Sequence, residues 1–453
     1  MNDLIPTWHP QPQAADLLER LIENLVSRSE PLARFSAELR ETTGTRLFDW
    51  VDHLALPGDL DCEGQALGDA LTSAGFVPTE RPDRRVLAHP GALLPDVELV
   101  ESEFRIVLKV DSVVDFLVAR GERGAIVGGP FDRRRQVRLT GTDSIAIWVV
   151  ERHGDRGWYA SPPSIGDPRD YADWFERVRL RDRGGLDAEH GFAVALSLID
   201  EGNAKFGVDP SCSAFFEAER SYWQVRNRAG RLQKGRQDRM GLGWANHDHH
   251  TYRSSREAFR SLIAALEKMG FRRRERFYAG RDAGWGAQVM EQPNAGITIF
   301  ADVDLSAEEL QGDFATEGLV PRSRFGTVGL WCALHGEAFL EAGMHHLECQ
   351  FDFESAREQL AVMGVGSMAP FTNFDYLRQC FTEGERWKVS PARLERLLSL
   401  GAIDAAQAER FARDGAVGSH LEILERNDGF KGFNQTGISD IILKTDPRVI
   451  RPH

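Results

Sequence analysis

Two stretches decide the reading: Trp50-Val51-Asp52-His53-Leu54-Ala55-Leu56, and Trp244-Ala245-Asn246-His247-Asp248-His249-His250-Thr251-Tyr252. Each carries the dipeptide Asp-His shortly after a tryptophan, and pairing His53 with His249 gives an offset of 249 − 53 = 196. Self-similarity at a fixed offset marks a duplicated architecture. The next landmark nearly keeps it: Leu67 to Phe76 lies against Leu262 to Phe271, an offset of 262 − 67 = 195. Both segments space their apolar residues as a helix does and end on Gly75-Phe76 or Gly270-Phe271, where glycine can take the left-handed conformation that closes a helix.

Further along, His89-Pro90 through Leu99 answers Gln292-Pro293 through Leu305. Phe104 to Val110 answers Phe325 to Trp331, and Phe131-Asp132 answers Phe351-Asp352. Short helices are expected at Val113 to Arg120 and Glu337 to Ala342, ended by Gly121 and Gly343. The last offset has grown to 351 − 131 = 220, which calls for insertions in the second copy. Each copy reads strand, helix, strands, strand, helix, strands. The expectation is an α+β fold of two diverged βαβββ-type units in mixed or antiparallel sheets, with additional helical segments.

The chain divides accordingly: a helical segment over 1–44, the first unit over 45–150, a largely helical connection over 151–242, the second unit over 243–360, and a C-terminal helical segment with a final strand over 361–453. Amphipathic spacing predicts helices over 14–41, 186–202 and 213–228. Ser390-Pro391 opens another with an N-cap serine and proline at N1, and Gly401 ends it.

Bulk properties narrow the partners. A net charge of -14 argues against a nucleic-acid binder, and the one basic run, Arg226 to Arg239, holds two glycines and no aromatic residue. It reads as a solvated linker. No stretch approaches a membrane span, and the first twelve residues resemble neither a signal nor a transit peptide, so a cytoplasmic protein is expected. The five cysteines are odd in number and widely spaced, which argues against a disulfide framework or zinc ribbon. Cys332 and Cys349 read as reduced core residues.

The histidines are unevenly placed. Six of thirteen fall in His247-Asp248-His249-His250, Leu334-His335 and His345-His346-Leu347-Glu348, all in the second copy. Side chains alternate along a strand, so His247 and His249 are expected on one face, and His346 with Glu348 on one face. Imidazole and carboxylate together suit a divalent transition metal, and two histidines with one carboxylate are typical of non-haem Fe(II) sites. The candidate ligands are His249, His335 and Glu348, with His247, His346 and Glu291 in reserve. Packed or surface histidines are the plain alternative, and isolated ones such as His89, His153 and His420 read as surface or capping residues. Arg253, four residues beyond His249, could clamp a substrate carboxylate or form a surface ion pair. Trp285 would wall a pocket or fill the core. The first copy keeps His53 but has Gly128-Gly129-Pro130 where the second has the neighbourhood of Glu348, so a single working site is expected, in the second copy.

An Asp-His strand, a helix ending Gly-Phe, several strands and a carboxylate on a late strand together resemble the vicinal oxygen chelate, or glyoxalase-like, superfamily. Its members pair βαβββ units around a metal held by histidines and glutamates. A narrower resemblance is to the 2-oxoadipate dioxygenase/decarboxylase group. There, His249-x-x-x-Arg253-Ser254-Ser255 followed by Met269-Gly270-Phe271 is similar to the first metal histidine and the substrate arginine, and Pro391 to Arg413 with Phe430-Lys431-Gly432 to a helical insertion. At the place of that group's second histidine this chain reads Phe433-Asn434-Gln435-Thr436. The resemblance implies a metal-dependent enzyme, an Fe(II) dioxygenase/decarboxylase acting on a small 2-oxo acid or related carboxylate. An oxygen-independent isomerase, lyase or hydrolase using Zn, Mn or Ni, or a small-ligand binding protein, are the alternatives.

Overall fold

The computed structural model describes residues 8–79, 84–139, 144–156, 164–322, 324–434 and 446–448. Nineteen strands are found among them. The first ten are β1 (Val51–Pro57), β2 (Asp61–Cys62), β3 (Gln65–Ala66), β4 (Val77–Pro78), β5 (Arg85–Ala88), β6 (Asp96–Val100), β7 (Arg105–Lys109), β8 (Ile126–Val127), β9 (Arg134–Arg138) and β10 (Ala146–Arg152). The remainder are β11 (His247–Arg253), β12 (Arg272–Tyr278), β13 (Trp285–Gln292), β14 (Ile297–Asp304), β15 (His346–Gln350), β16 (Thr372–Phe374), β17 (Leu377–Phe381), β18 (Glu385–Trp387) and β19 (Ala416–Arg426).

Strand order shows the duplication and doubles it. The first large sheet runs β4-β5-β6-β1-β7-β10-β9-β8, and the second runs β12-β13-β14-β11-β15-β19-β17-β16 with β18 beside β19. Within each half-sheet a first strand is followed by a helix and three strands (four in the last, where β18 is extra), and the last of these returns parallel to the first: β1 with β6, β7 with β10, β11 with β14, β15 with β19. Each expected unit is therefore two βαβββ modules, joined where β1 meets β7 and β11 meets β15 antiparallel. The second sheet ends at Arg426, well past the boundary drawn at residue 360, because its last module takes strands from the segment read as a helical tail.

The module helices are Leu67–Ser73, Val113–Arg120, Phe259–Lys268 and Phe353–Val362. The pair with the matching offset ends on Gly75 and Gly270, both at positive φ. A Cβ at Gly270 would also come within 2.9 Å of Val208, so the turn needs glycine for space as well as conformation.

Beyond that point the landmarks paired by sequence are not structural equivalents. Phe325 to Trp331 does not answer β7: Thr327–His335 is a helix, apolar on every side and buried. The counterpart of β7 is β15, and the counterpart of Val113–Arg120 is Phe353–Val362, so Glu337 to Ala342 belongs to neither. His53 stands opposite Val107 and His249 opposite Glu348. The offset there is 348 − 107 = 241, an insertion of 241 − 196 = 45 residues between the third and fourth modules. That insertion holds the Thr327–His335 helix, whose first amides (Gly326, Val328, Gly329) bond to the Asp304 carboxylate at the end of β14. It is thereby seated over one end of the second sheet.

The basic run is also not a linker. Arg228–Asp238 is a helix, with Gln233, Arg236 and Gln237 buried and bonded to Thr43, Thr42 and Gly243 carbonyls. Arg236 and the two glutamine amides thereby satisfy carbonyls left open at the end of the Glu30–Thr43 helix and at Gly243. The helices read over 186–202 and 213–228 are present as Ala188–Phe206 and Val208–Gln224, and 14–41 is two helices parted at Ser29. Two large cores result, one under each sheet. Among the described residues no helix is long and apolar enough to cross a membrane.

Candidate metal centre

Both first strands carry a β-bulge at the Asp-His dipeptide, between Val51 and His53 and between His247 and His249. A bulge adds a residue and breaks the alternation of faces. Asp248 and His249 therefore both turn toward the concave face, and His247 lands on the other, its ring 5.2 Å from that of His250. The expectation that His247 and His249 share a face fails for this reason, and His247 is not at the centre.

Register then assembles the cluster. His249 faces Glu348, Thr251 faces His346, and on the next strand His346 faces His420 and Glu348 faces Glu422. Leu347, Cys349, Leu421 and Ile423 alternate with these and are buried in the core on the convex side. Two groups of potential ligand atoms lie within 4.8 Å of one another: His249, His346 and Glu422, and Asp248, His249 and Glu348.

The hydrogen bonds separate the two. Both Asp248 oxygens are taken by Arg426, at 2.8 and 2.9 Å, and one also accepts from Gln350 Nε2 at 3.0 Å. A carboxylate already neutralised by a guanidinium is a poor partner for a cation. Glu422 Oε2 lies 2.8 Å from His346 Nε2, and Gln379 Nε2 donates to Glu348 Oε1 (3.3 Å) and Glu422 Oε1 (3.1 Å). Glu348 Oε2 is 2.5 Å from His249 Nδ1 but outside hydrogen-bond geometry, and it is a buried oxygen without a hydrogen bond. Phe300, Phe433 and Phe381 pack around the two imidazoles at centroid distances of 4.8 to 5.1 Å.

This packing has electrostatic consequences. Burial, with Glu422 and Asp248 nearby, pushes the Glu348 carboxyl well above its usual range, and burial pushes Glu422 up to about 7. Burial lowers His249, and lowers His346 to about 3, so both imidazoles are neutral and can offer lone pairs. Two crowded carboxyls and two neutral imidazoles fit a divalent cation, which would favour the ionised carboxylates. The residues present thus fit a metal through His249, His346 and Glu422, and Glu348, whose buried Oε2 lies beside His249 Nδ1 with no hydrogen bond among the described residues, stays a candidate fourth ligand.

The remaining candidates fall elsewhere. His335 is at the end of the inserted helix, its ring between Trp331 and Trp387 and its Nε2 3.2 Å from the Val417 carbonyl. The structure does not bring it to the cluster. Glu291 is on β13 beside Lys431, at 3.7 Å. His420 is buried, contrary to the surface reading, and its Nδ1 bonds the Thr382 carbonyl. Glu422 was missed; the alternation Gly418, His420, Glu422, Leu424 against Leu421 and Ile423 is the signal that could have found it. Of Phe433 to Thr436, the first two are described, and Gln435 and Thr436 lie outside the described residues.

Arg253 and Asp302 stand opposite each other on β11 and β14, on the same concave face. Both are buried, and Arg253 makes no ion pair with any described residue. Its Nε, Asp302 Oδ1 and Trp285 Nε1 are buried polar atoms without a hydrogen bond. Burial pushes Asp302 up to about 8 and lowers Arg253, whose guanidinium lies 5.6 Å over the Trp331 ring. A ligand carboxylate would satisfy these donors.

The first sheet shows what is lost in the other copy. Asp52, His53 and Arg152 repeat Asp248, His249 and Arg426, with Arg152 bonds of 2.8 and 2.7 Å. The positions matching His346, Glu348 and Glu422 hold Arg105, Val107 and Trp148. That set cannot hold a divalent ion. The equivalent of Glu348 is Val107, not Gly128 to Pro130.

No protein-family model matches the chain, and no curated protein matches it. Solved structures do. One is a glyoxalase superfamily protein from Ralstonia eutropha JMP134, 12% identical, over 49% of this chain and 84% of that one, TM-score 0.34. Another is a triple mutant of 4-hydroxymandelate synthase from Streptomyces coelicolor, 14% identical, over 88% and 98%, TM-score 0.28. A third is a Mn(II)-bound glyoxalase from Novosphingobium aromaticivorans, 10% identical, over 84% and 83%, TM-score 0.20. All lie below a TM-score of 0.5, so the fold assignment rests on the strand order given above: four βαβββ modules in two pairs.

Proposed function

We propose that the chain is a metal-dependent enzyme whose centre is His249, His346 and Glu422, acting on a small carboxylate. The observation that carries this reading is the convergence of three buried ligand atoms within 4.8 Å on one concave face, with a buried guanidinium on the same strand that has no ion-pair partner among the described residues. Two histidines and one carboxylate suit Fe(II) best, and Zn, Mn or Ni also fit the donor set. The bound ion would act as a Lewis acid toward substrate oxygens.

The chain's own groups supply the rest. Arg253 lies four residues from His249, about 13 Å at the usual rise per residue. It holds a substrate carboxylate by paired N–H donors and fixes which end points to the centre. Asp302, whose carboxyl burial pushes up to about 8, donates a hydrogen bond beside it when protonated, and Trp285 Nε1 offers another donor. Phe300, Phe381 and Phe433 keep water from the imidazoles, which strengthens every polar contact inside. The reaction favoured is the oxygen-dependent decarboxylation of a 2-oxo acid.

The test is turnover of protein reconstituted with each metal in turn, offered 2-oxo acids with and without a second carboxylate. Oxygen uptake matched by CO₂ release with Fe(II), and a raised KM in Arg253→Met, are expected. Turnover without oxygen uptake would move the protein to the isomerase, lyase or hydrolase class.

A further inference from the structure

The bulge that turns His249 into the concave face turns His247 toward a second space, a cavity of ≈ 350 Å³ between the two sheets. That volume is in the range of small-ligand pockets. Its lining joins Lys109 at the end of β7, Arg152 at the end of β10, Arg220 from the helix Val208–Gln224, and His247.

The polar groups at its floor are incompletely matched. Lys109 makes no hydrogen bond or ion pair with any described residue, and burial together with nearby Arg156 lowers its ammonium. Arg220 is buried and reaches only His250 Nε2, at 3.4 Å, among the described residues. His247 Nδ1 donates to the Trp244 carbonyl at 2.9 Å, which leaves Nε2 as a buried atom without a partner. Asp52 is already gripped by Arg152. The other carboxylates of the lining, Asp111, Asp115 and Glu217, stand on its exposed rim, where Asp111 accepts from the Trp244 N–H at 2.6 Å and Asp111 and Glu217 offset part of the Arg220 charge without a hydrogen bond to it. The floor therefore presents two cations and one nitrogen that can accept.

We propose that this cavity binds a small dianion bearing a hydroxyl, with Lys109 and Arg220 as its charge partners and His247 Nε2 accepting from its O–H. Hydrogenphosphate and a hydroxydicarboxylate share that chemistry. The site is separate from the metal centre, since β11 presents His247 and His249 to opposite faces.

Calorimetric titration of the full chain with inorganic phosphate, malate and succinate tests this. Phosphate or malate should bind one per chain, whichever is tighter identifying the source, and succinate, lacking the hydroxyl, should bind more weakly than malate. Lys109→Met should weaken binding about tenfold or more, the scale of one lost charged contact. Lys109→Arg should retain it. Glu422→Gln and Arg253→Met, which alter the concave face, should leave it unchanged, so the result stands apart from the function proposed for the metal centre. Unchanged affinity in Lys109→Met, loss in Arg253→Met or Glu422→Gln, or no binding of either anion would overturn the proposal.

Discussion

Arg426 grips Asp248 through two bonds, Nε to Oδ2 at 2.8 Å and Nη2 to Oδ1 at 2.9 Å, and both side chains are 4% exposed. The same clasp joins Arg152 to Asp52 in the first sheet. It ties the first strand of one module to the last strand of the next and fixes the bulge that aims each histidine. Breaking a buried pair by removing one partner strands a charge, at about 3–5 kcal/mol. Arg426→Met should lose stability on that scale in urea unfolding. The double variant Arg426→Met with Asp248→Leu should recover much of the loss, because no charge is then left unpaired.

Acid should act on the first-sheet clasp in a defined direction. Arg152 and the His53 hydrogen bond hold the Asp52 carboxyl well below the usual range, against the opposing effect of burial. A depressed folded value means stability that is fully present above the unfolded carboxylate value, about 3.9, and lost as pH falls through the folded one. Asp52→Asn should therefore be less stable than the wild type at pH 7, and the gap should narrow progressively below about pH 4. A gap that stays constant with pH would contradict the assignment.

Arg253 presents the opposite case, a buried cation with no ion-pair partner among the described residues. Its burial costs free energy in the unliganded protein, and groups retained for binding often do. Arg253→Met should raise the unfolding free energy by about 1–2 kcal/mol while abolishing protection of the fold by 2-oxo acids. Thermal unfolding with and without a 2-oxo dicarboxylate measures both. A destabilised variant would mean that Arg253 serves the fold.

The concave face was legible in part. The Asp-His repeat at residues 52–53 and 248–249, the Gly-Phe helix ends and the alternation around Glu348 were readable because they are local patterns. His346 in place of His335 was not, because both lie in apolar runs and only helix formation over Thr327–His335 removes the second from the sheet. Glu422 lies 74 residues after Glu348, and its place beside it depends on a parallel register made by another module. Nor does local sequence show that a one-residue bulge will send His247 and His249 to opposite faces. Register and bulges are set by long-range pairing, so a sheet-borne metal set is visible only after the strands are paired.

Metal analysis separates the central claim from its nearest rival most directly. Wild type, His346→Ala, Glu422→Gln and His335→Ala would be loaded with Fe(II) under anaerobic conditions, desalted and assayed for bound metal. With His249, His346 and Glu422 as the ligands, His335→Ala should keep about one ion per chain, as the wild type does, and the other two should lose most of it. Retention by His346→Ala and Glu422→Gln, with loss in His335→Ala, would contradict the proposed centre.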